Sequence, residues 1–301
     1  MVTTTDYVKL HFVVFLWGFT AILGKLVTIP AVEMVFFRTL LAAIGMGGVI
    51  LLLRDSFKVS SSDLMKLLLT GLIVAAHWLT FFASGRISNP STSLVGFATC
   101  SLWAALFEPF AKKSKIRGVE LALGITVIIG LYIIFSFNFQ YPMGLFLGVL
   151  SGITCAIFAV INSQLVSRVS SYTITFYEMV GACIGVALFF PLYSEYWSVD
   201  GTLHLHPTLT DWLWIAILSL VCSVYAYAVA INLTKKLSVF FIQLTLNLEP
   251  VYGIVLALLV FGEQEVMGWN FYVGTFVILG AVVAYPFVKN RFSATLPHTG
   301  P

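Results

Sequence analysis

The feature that most constrains this chain is a series of long apolar runs that recurs along nearly its whole length. A helix needs roughly 20 apolar residues to cross the hydrocarbon core of a bilayer. Runs of about that length occupy ten segments: 7–27, 31–53, 64–85, 91–110, 118–137, 143–166, 172–193, 212–233, 239–261 and 268–288. Backbone amides inside lipid have no water to bond, so helices are the expected spanning form. The sequence therefore predicts an all-α integral membrane protein with ten transmembrane helices.

Composition agrees with that fold class and excludes several functions. Of the 301 residues, 59% are hydrophobic and only 10% are charged, whereas roughly a quarter of a soluble domain is charged. A net charge of +3 gives no indication of nucleic-acid binding. No phosphate-binding Gly-Lys-Ser/Thr loop, His-Glu-x-x-His motif or Ser/His/Asp arrangement is evident. We expect no enzymatic activity, no cofactor and no metal site, and any transport must be driven by a gradient.

The basic residues predict the orientation in the membrane. Thirteen of the 16 Lys and Arg residues lie at the two termini and in the loops after the second, fourth, sixth and eighth segments. The other side keeps only Lys25, Arg38 and Arg86. Because loops rich in Lys and Arg stay in the cytoplasm, both termini are predicted to be cytoplasmic.

The two halves of the chain share an internal pattern. Gly118, Gly124 and Gly130 recur 150 residues later as glycines, and Phe36-Phe37-Arg38 aligns with Phe176-Tyr177-Glu178 at an offset of 140. The pattern predicts two five-helix repeats, 1–137 and 138–301. An odd number of spans per repeat inverts the second copy, and inverted repeats are a common scaffold of secondary transporters.

Short motifs make the chain similar to the drug/metabolite transporter superfamily, in its ten-helix EamA branch. Trp17-Gly18 with Lys25 resembles the opening of that family, and Glu249-Pro250 followed by Phe261-Gly262-Glu263 resembles its second-half signature. The resemblance implies a bacterial inner-membrane protein that moves amino acids or other small metabolites through a central cavity. Export by alternating access, coupled to protons, is the expected mode.

Two ionisable residues inside predicted helices are candidates for coupling and for substrate binding. Glu249 lies about halfway along the ninth segment, beside a proline that removes one helical hydrogen bond. Its carboxyl group can bind a substrate amine or carry a proton, and a structural hydrogen bond to a neighbouring helix is the alternative. His77, in the middle of the third segment, can titrate near neutral pH; a purely structural histidine is an equal alternative.

Other candidate substrate-binding residues are aromatic or amide side chains near mid-span. Indole and phenol groups need hydrogen-bond partners in lipid, so they tend to face inward. The aromatic candidates, for each of which bundle packing is the alternative, are Trp17, Trp78, Trp103, Tyr225 and Tyr227. Asn247 is included among the substrate-binding candidates because it lies deep in the ninth segment, although it and Gln243 fall nearly opposite Glu249 on an ideal helix.

Three further features are interpreted as structural. Gly144, Gly148 and Gly152 form a stripe of small residues that predicts close packing of another helix. Arg38 and Glu178 are placed near opposite membrane surfaces, with their charged groups either reaching out of the lipid or forming local ion pairs. Glu33 is expected at the short outer turn after the first segment, where it can pair with Lys25.

Two other functions stay open. An intramembrane enzyme or lipid-handling protein would need polar groups near one surface, and the long outer loop offers Asp200, His204, His206 and Asp211. A passive channel would need a continuous polar stripe, which these segments lack. The expected partners are a small-molecule substrate, membrane lipid and protons, with a homodimer as an open oligomeric state and no nucleic acid.

Overall fold

The computed structural model describes residues 2–88, 90–135, 141–198, 200–249, 251–252 and 269–294, and all regular secondary structure there is helical. The α-helices are α1 (Thr4–Gly18), α2 (Thr20–Leu26), α3 (Ala31–Leu53), α4 (Ser61–Ile87), α5 (Pro90–Ala98), α6 (Cys100–Ala111), α7 (Gly118–Phe135), α8 (Pro142–Leu165), α9 (Ser171–Tyr196), α10 (Leu209–Ile217), α11 (Ala226–Leu233), α12 (Val239–Leu246) and α13 (Trp269–Ala294). A π-helical segment, Leu218–Tyr225, joins α10 to α11. Pro250, the Phe261-Gly262-Glu263 motif, Gly268 and the side chain of Lys25 lie outside the described residues.

Within those residues, seven helical stretches are long and apolar enough to cross a membrane. They are Ala31–Leu53, Ser61–Ile87, Thr92–Ala111, Pro142–Leu165, Ser171–Tyr196, Leu209–Leu233 and Trp269–Val288, and Gly118–Ile134 is a shorter apolar helix. Each corresponds to a segment expected from the sequence. The first predicted segment is broken in two, and the ninth is described only in part. The chain is therefore a helical, multi-pass membrane protein.

Four of the predicted spans depart from uniform α-helix, the ninth because α12 ends at Leu246 and Asn247 and Leu248 form a turn. The first is broken at Phe19, between α1 and α2, and the fourth at Thr99, between α5 and α6. The eighth contains the π-helical segment, where the Ser223 hydroxyl donates to the carbonyl of Leu218, five residues earlier, at 3.1 Å. Apolar periodicity gives no sign of such interruptions, because they depend on contacts with other helices.

Glycines set the closest helix crossings. A Cβ atom on Gly96 of α5 would lie 2.7 Å from the Cα of Gly148 on α8. The predicted packing stripe is confirmed, because Cβ atoms on Gly144 and Gly152 would lie 2.5 Å from the Ser88 Cβ and 2.9 Å from the Phe97 carbonyl oxygen. Small residues in membrane helices let backbones approach in this way.

Two further crossings use glycines that face each other. A Cβ atom on Gly71 of α4 would lie 2.9 Å from the Cα of Gly181 on α9. Gly130 of α7 and Gly274 of α13, both from the repeated glycine pattern, meet in the same manner. The repeated glycines therefore include one pair that packs across the two halves of the chain.

The outer surface of the bundle is strongly apolar. Leu52 and Phe276 are 84% and 77% exposed, and other large apolar side chains are exposed on most of the long helices. A soluble protein would bury such an area. These side chains therefore face lipid, while the buried core lies between the helices and surrounds a central cavity.

Candidate functional site

The central cavity lies among helices from both halves of the chain. Most of its wall is aromatic or aliphatic, and its polar lining side chains are Thr20, Arg38, His77, Asn162, Thr234, Gln243 and Glu249. Its free volume is about 100 Å³, enough for several water molecules. An apolar pocket with a few convergent polar groups is the usual form of a small-molecule site.

Five of the eight residues selected from the sequence line this cavity. They are Trp17, His77, Trp78, Tyr227 and Glu249. Trp17 donates its indole N–H to the carbonyl oxygen of Cys222 at 2.9 Å, so α1 is bonded to the π-helical segment. In a π-helical turn the backbone hydrogen bonds join residues five apart instead of four. Here the carbonyl oxygen of Cys222 accepts from the Trp17 indole on another helix.

The other three selected residues lie outside the cavity. Trp103 stacks on Phe107 and donates to Thr99, one turn before it, at 3.2 Å. Asn247 is buried, and its amide donates to the Gln243 carbonyl at 3.1 Å. Tyr225 is 46% exposed, because residues two apart point to nearly opposite sides of a helix and Tyr227 takes the inner side.

Glu249 has few partners for a buried carboxyl group. It is 7% exposed. Its only hydrogen bond in the described part of the chain comes from the Thr20 hydroxyl, 3.4 Å from Oε1, which is near the limit for such a bond. Thr245, four residues before Glu249, and Tyr252, three residues after it, bond elsewhere: Thr245 to the Phe241 carbonyl, and Tyr252 to His11 at 2.8 Å.

His77, at the cavity wall, bridges two helices. Its Nδ1 lies 2.8 Å from the hydroxyl and 3.0 Å from the carbonyl oxygen of Ser151 on α8. Because a carbonyl oxygen only accepts, the second contact requires a proton on Nδ1. The rings of Phe97 and Phe158 lie 5.5 Å from the imidazole, centroid to centroid, so the ring is enclosed by aromatic groups.

Arg38 was placed near a membrane surface by sequence reasoning, and this was wrong. The side chain is 2% exposed and lines the cavity. Its Nε donates to the Ser223 hydroxyl at 2.9 Å, and its guanidinium carbon lies 4.2 Å from the centroid of the Trp78 ring. Aromatic and hydroxyl partners inside the bundle hold the guanidinium there, so it does not reach the lipid surface.

Glu178 also lies deep in the protein, contrary to its predicted surface position. It is fully buried on α9, and its Oε2 accepts from the Tyr227 hydroxyl at 2.8 Å and from the Asn162 amide at 3.1 Å. Tyr227 and Asn162 both line the cavity. Glu178 therefore anchors two side chains that line the cavity, although it does not line the cavity itself.

The polar residues of the outer loop take up separate structural roles. Asp211 caps α10 and accepts from the backbone N–H and hydroxyl of Thr28 at 2.7 and 2.8 Å. Glu33 accepts from the backbone N–H of His204 at 3.1 Å, which binds the loop to α3. His204 otherwise lies 3.3 Å from Asp200, with both side chains half exposed. The described residues hold no group of three or more His, Cys, Asp or Glu able to bind a metal.

The family model described as "EamA-like transporter family" matches residues 8–136 and, a second time, residues 142–285. The chain belongs to the EamA-like transporter family. The resemblance seen in the short sequence motifs is thereby confirmed, and this EamA-like protein is a transmembrane transporter of small solutes.

Comparison with individual proteins shows a solved structure of similar fold. No curated protein matches the chain. One solved structure, titled only "Crystal structure of protein", has a TM-score of 0.78 to this EamA-like transporter and 12% sequence identity to it. The similarity covers 97% of this chain and 99% of that one. At such low identity the likeness concerns the fold.

Proposed function

We propose that this EamA-like transporter is a secondary carrier that exports small organic metabolites, such as amino acids or related solutes, across a bacterial inner membrane. It has ten spans arranged as two inverted five-helix repeats, 1–137 and 138–301, with both termini in the cytoplasm. The two separate family matches and the Gly130–Gly274 crossing support the repeats. Solute binds in the central cavity, and the two repeats rock about it.

The observation that carries this proposal is that polar contacts at the cavity wall join one half of the chain to the other. Thr20 donates to Glu249, Trp17 to Cys222 and Arg38 to Ser223, and His77 contacts Ser151. In each case one partner lies in the first matched stretch and the other in the second. A solute or proton that binds there changes the contacts between the halves, which is what alternating access requires.

Glu249 and His77 carry the proton coupling in this proposal. Among the described residues Glu249 bonds only to Thr20, at 3.4 Å, so its carboxyl group gains or loses a proton there without breaking any stronger bond of those residues. His77 has a hydroxyl and a carbonyl as its hydrogen-bond partners, and imidazole is the side chain best suited to proton exchange near neutral pH.

The test is transport by purified protein in proteoliposomes with an imposed pH gradient. We expect Glu249→Gln to abolish the acceleration by the gradient while leaving exchange of labelled solute for unlabelled solute measurable. Glu195→Gln, which makes the same chemical change at an exposed position of α9, is the matched control and should behave like the wild type. Gradient-driven transport that survives unchanged in Glu249→Gln would remove Glu249 from the mechanism.

The arrangement in the membrane has its own test. Single-cysteine variants on a background without native cysteines would be labelled from outside in intact cells. We expect labelling at Asp200, in the loop after α9, and none at residues 3 or 114 until the membrane is opened. Labelling of residues 3 and 114 from different sides, or of residues 114 and 200 from the same side, would end the proposed ten-span arrangement.

A further inference from the structure

Arg38 is a buried cation whose hydrogen-bonding capacity is mostly unused. A guanidinium group carries five N–H donors, and the structure shows one of them bonded, from Nε to the Ser223 hydroxyl. Among the described residues, no carboxylate lies within ion-pair distance of Arg38, and its two terminal nitrogens have no hydrogen-bond acceptor. The side chain nevertheless lines the cavity and is 2% exposed.

An unpaired charge at this depth is costly, because lipid and protein interior solvate it far less than water does. The Trp78 ring, 4.2 Å away, offsets part of that cost through the attraction between a cation and an aromatic face. The ring does not neutralise the charge, and within the described part of the chain the terminal N–H groups still have no acceptor. An anionic group that enters the cavity would therefore supply both the missing hydrogen-bond acceptors and the missing negative charge.

The acidic residue of the same cavity does not supply that group. Glu249 lines the cavity but makes no ion pair with Arg38, and its carboxyl group accepts from Thr20 instead. Aromatic side chains, including Trp17, Phe81 and Phe158, make up much of the remaining wall. In the residues that the structure describes, the cavity thus offers one cationic side chain, one acidic side chain that makes no ion pair with it, and a largely apolar wall.

We propose that Arg38 binds the carboxylate of the transported solute, and that the solute is a small organic acid or zwitterion with an apolar body. A guanidinium group and a carboxylate form two parallel N–H···O bonds, which fits the two terminal nitrogens of Arg38. A single guanidinium neutralises one negative charge, so a monoanionic carboxylate suits this site better than a dianionic phosphate ester. That the solute is transported rests on the proposed carrier function, whereas the binding of a carboxylate at Arg38 does not depend on that function.

The experiment compares acids with their neutral amides in a binding assay on the full chain in lipid nanodiscs. The probes are matched pairs with bodies of increasing size: acetate, benzoate, 3-phenylpropanoate and indole-3-acetate, each beside its amide, and phenylalanine beside phenylalaninamide. We expect at least one acid to bind at least tenfold more tightly than its amide. A panel in which no acid is preferred, including one in which nothing binds, overturns the proposal, as does tighter binding of phenyl phosphate than of every acid.

Variants then assign the preference to Arg38. Arg38→Gln should bind acid and amide within about twofold of each other, while Arg117→Gln, at an exposed arginine outside the cavity, should keep the wild-type preference. If Arg38→Gln is not monodisperse, Arg38→Lys replaces it: this variant keeps the charge but loses the paired donors, and should lose at least threefold of the acid preference. An unchanged preference in either variant refutes the role of Arg38.

Two further comparisons separate this proposal from the carrier assignment. An acid preference without any transport in proteoliposomes supports the role of Arg38 and contradicts the carrier function. Transport of acids and amides at equal rates supports a carrier and overturns the role of Arg38. A last comparison shows whether the solute is a zwitterion: the affinities for phenylalanine and 3-phenylpropanoate are measured in the wild type and in Glu249→Gln. Only phenylalanine has an ammonium group that can pair with the Glu249 carboxylate.

Discussion

The crossing of α5 and α8 makes a direct prediction about stability. The Gly96→Ala substitution adds a single methyl group, whose carbon would lie 2.7 Å from the Cα and carbonyl carbon of Gly148 and 2.8 Å from the amide nitrogen of Val149. All three atoms belong to backbone, so no side chain can rotate away. The helices must separate by several tenths of an ångström, or one of them must bend.

The expected size of the effect follows from two opposing contributions. Alanine is favoured over glycine in a helix by about 0.5–1 kcal/mol. Overpacking a tight contact costs about 1–3 kcal/mol. Gly48→Ala isolates the first contribution, because a Cβ atom on Gly48 of α3 meets nothing within 4 Å. We therefore expect Gly96→Ala to be less stable than Gly48→Ala by about 1–3 kcal/mol.

The assay is unfolding of purified protein in mixed micelles by increasing fractions of sodium dodecyl sulfate, followed by tryptophan fluorescence. Gly48→Ala should unfold at the same or a higher detergent fraction than the wild type, and Gly96→Ala at a lower one. If the two variants unfold together, the backbones of α5 and α8 do not touch at Gly96, and the glycine-based account of this crossing fails.

The remaining predictions concern single hydrogen bonds and use the same unfolding assay. Trp17→Phe removes the donor to the Cys222 carbonyl and should cost about 1 kcal/mol, whereas an unchanged midpoint would show that the bond adds nothing. Asp211→Asn weakens the cap of α10 and the contacts with Thr28; we expect a loss of about 1–2 kcal/mol and faster proteolysis of the outer loop. Tyr227→Phe removes one of the two donors to the buried Glu178 carboxylate group, and a loss of about 1–3 kcal/mol is expected, with no loss arguing that this bond is absent.

Much of the helix layout could be predicted because lipid imposes a length and a composition on every span. The small-residue stripe at Gly144, Gly148 and Gly152 was equally predictable, since its spacing places three glycines on one helix face. The breaks at Phe19 and Thr99 were not predictable, because neither position carries a proline. At the π-helical segment, the indole N–H of Trp17 on another helix bonds to the Cys222 carbonyl, a contact that the local sequence does not reveal.

The cavity was harder to predict than the helices, since helical periodicity gives the direction of a side chain but not what faces it. Tyr225 and Tyr227 show the difference: both lie at a similar depth, but only Tyr227 meets the cavity. Arg38 was missed because a basic residue near a span end was assumed to reach the surface. It lies seven residues after the start of α3 at Ala31, about 10 Å into the helix, and Ser223 and Trp78 hold its guanidinium inside the bundle.

Arg38 and Glu178, at corresponding positions in the two halves, bond to the same span. Glu178 lies seven residues after the start of α9 at Ser171, which is the same depth from its helix start as Arg38 in α3. Arg38 bonds to Ser223 and Glu178 to Tyr227, and these two partners lie one turn apart on the span Leu209–Leu233. A shift of that span toward α3 therefore lengthens the bond to Glu178, and a shift toward α9 lengthens the bond to Arg38. Because both bonds are buried, neither can be replaced by water at no cost, so a movement of the span in either direction from the position seen here costs one hydrogen bond.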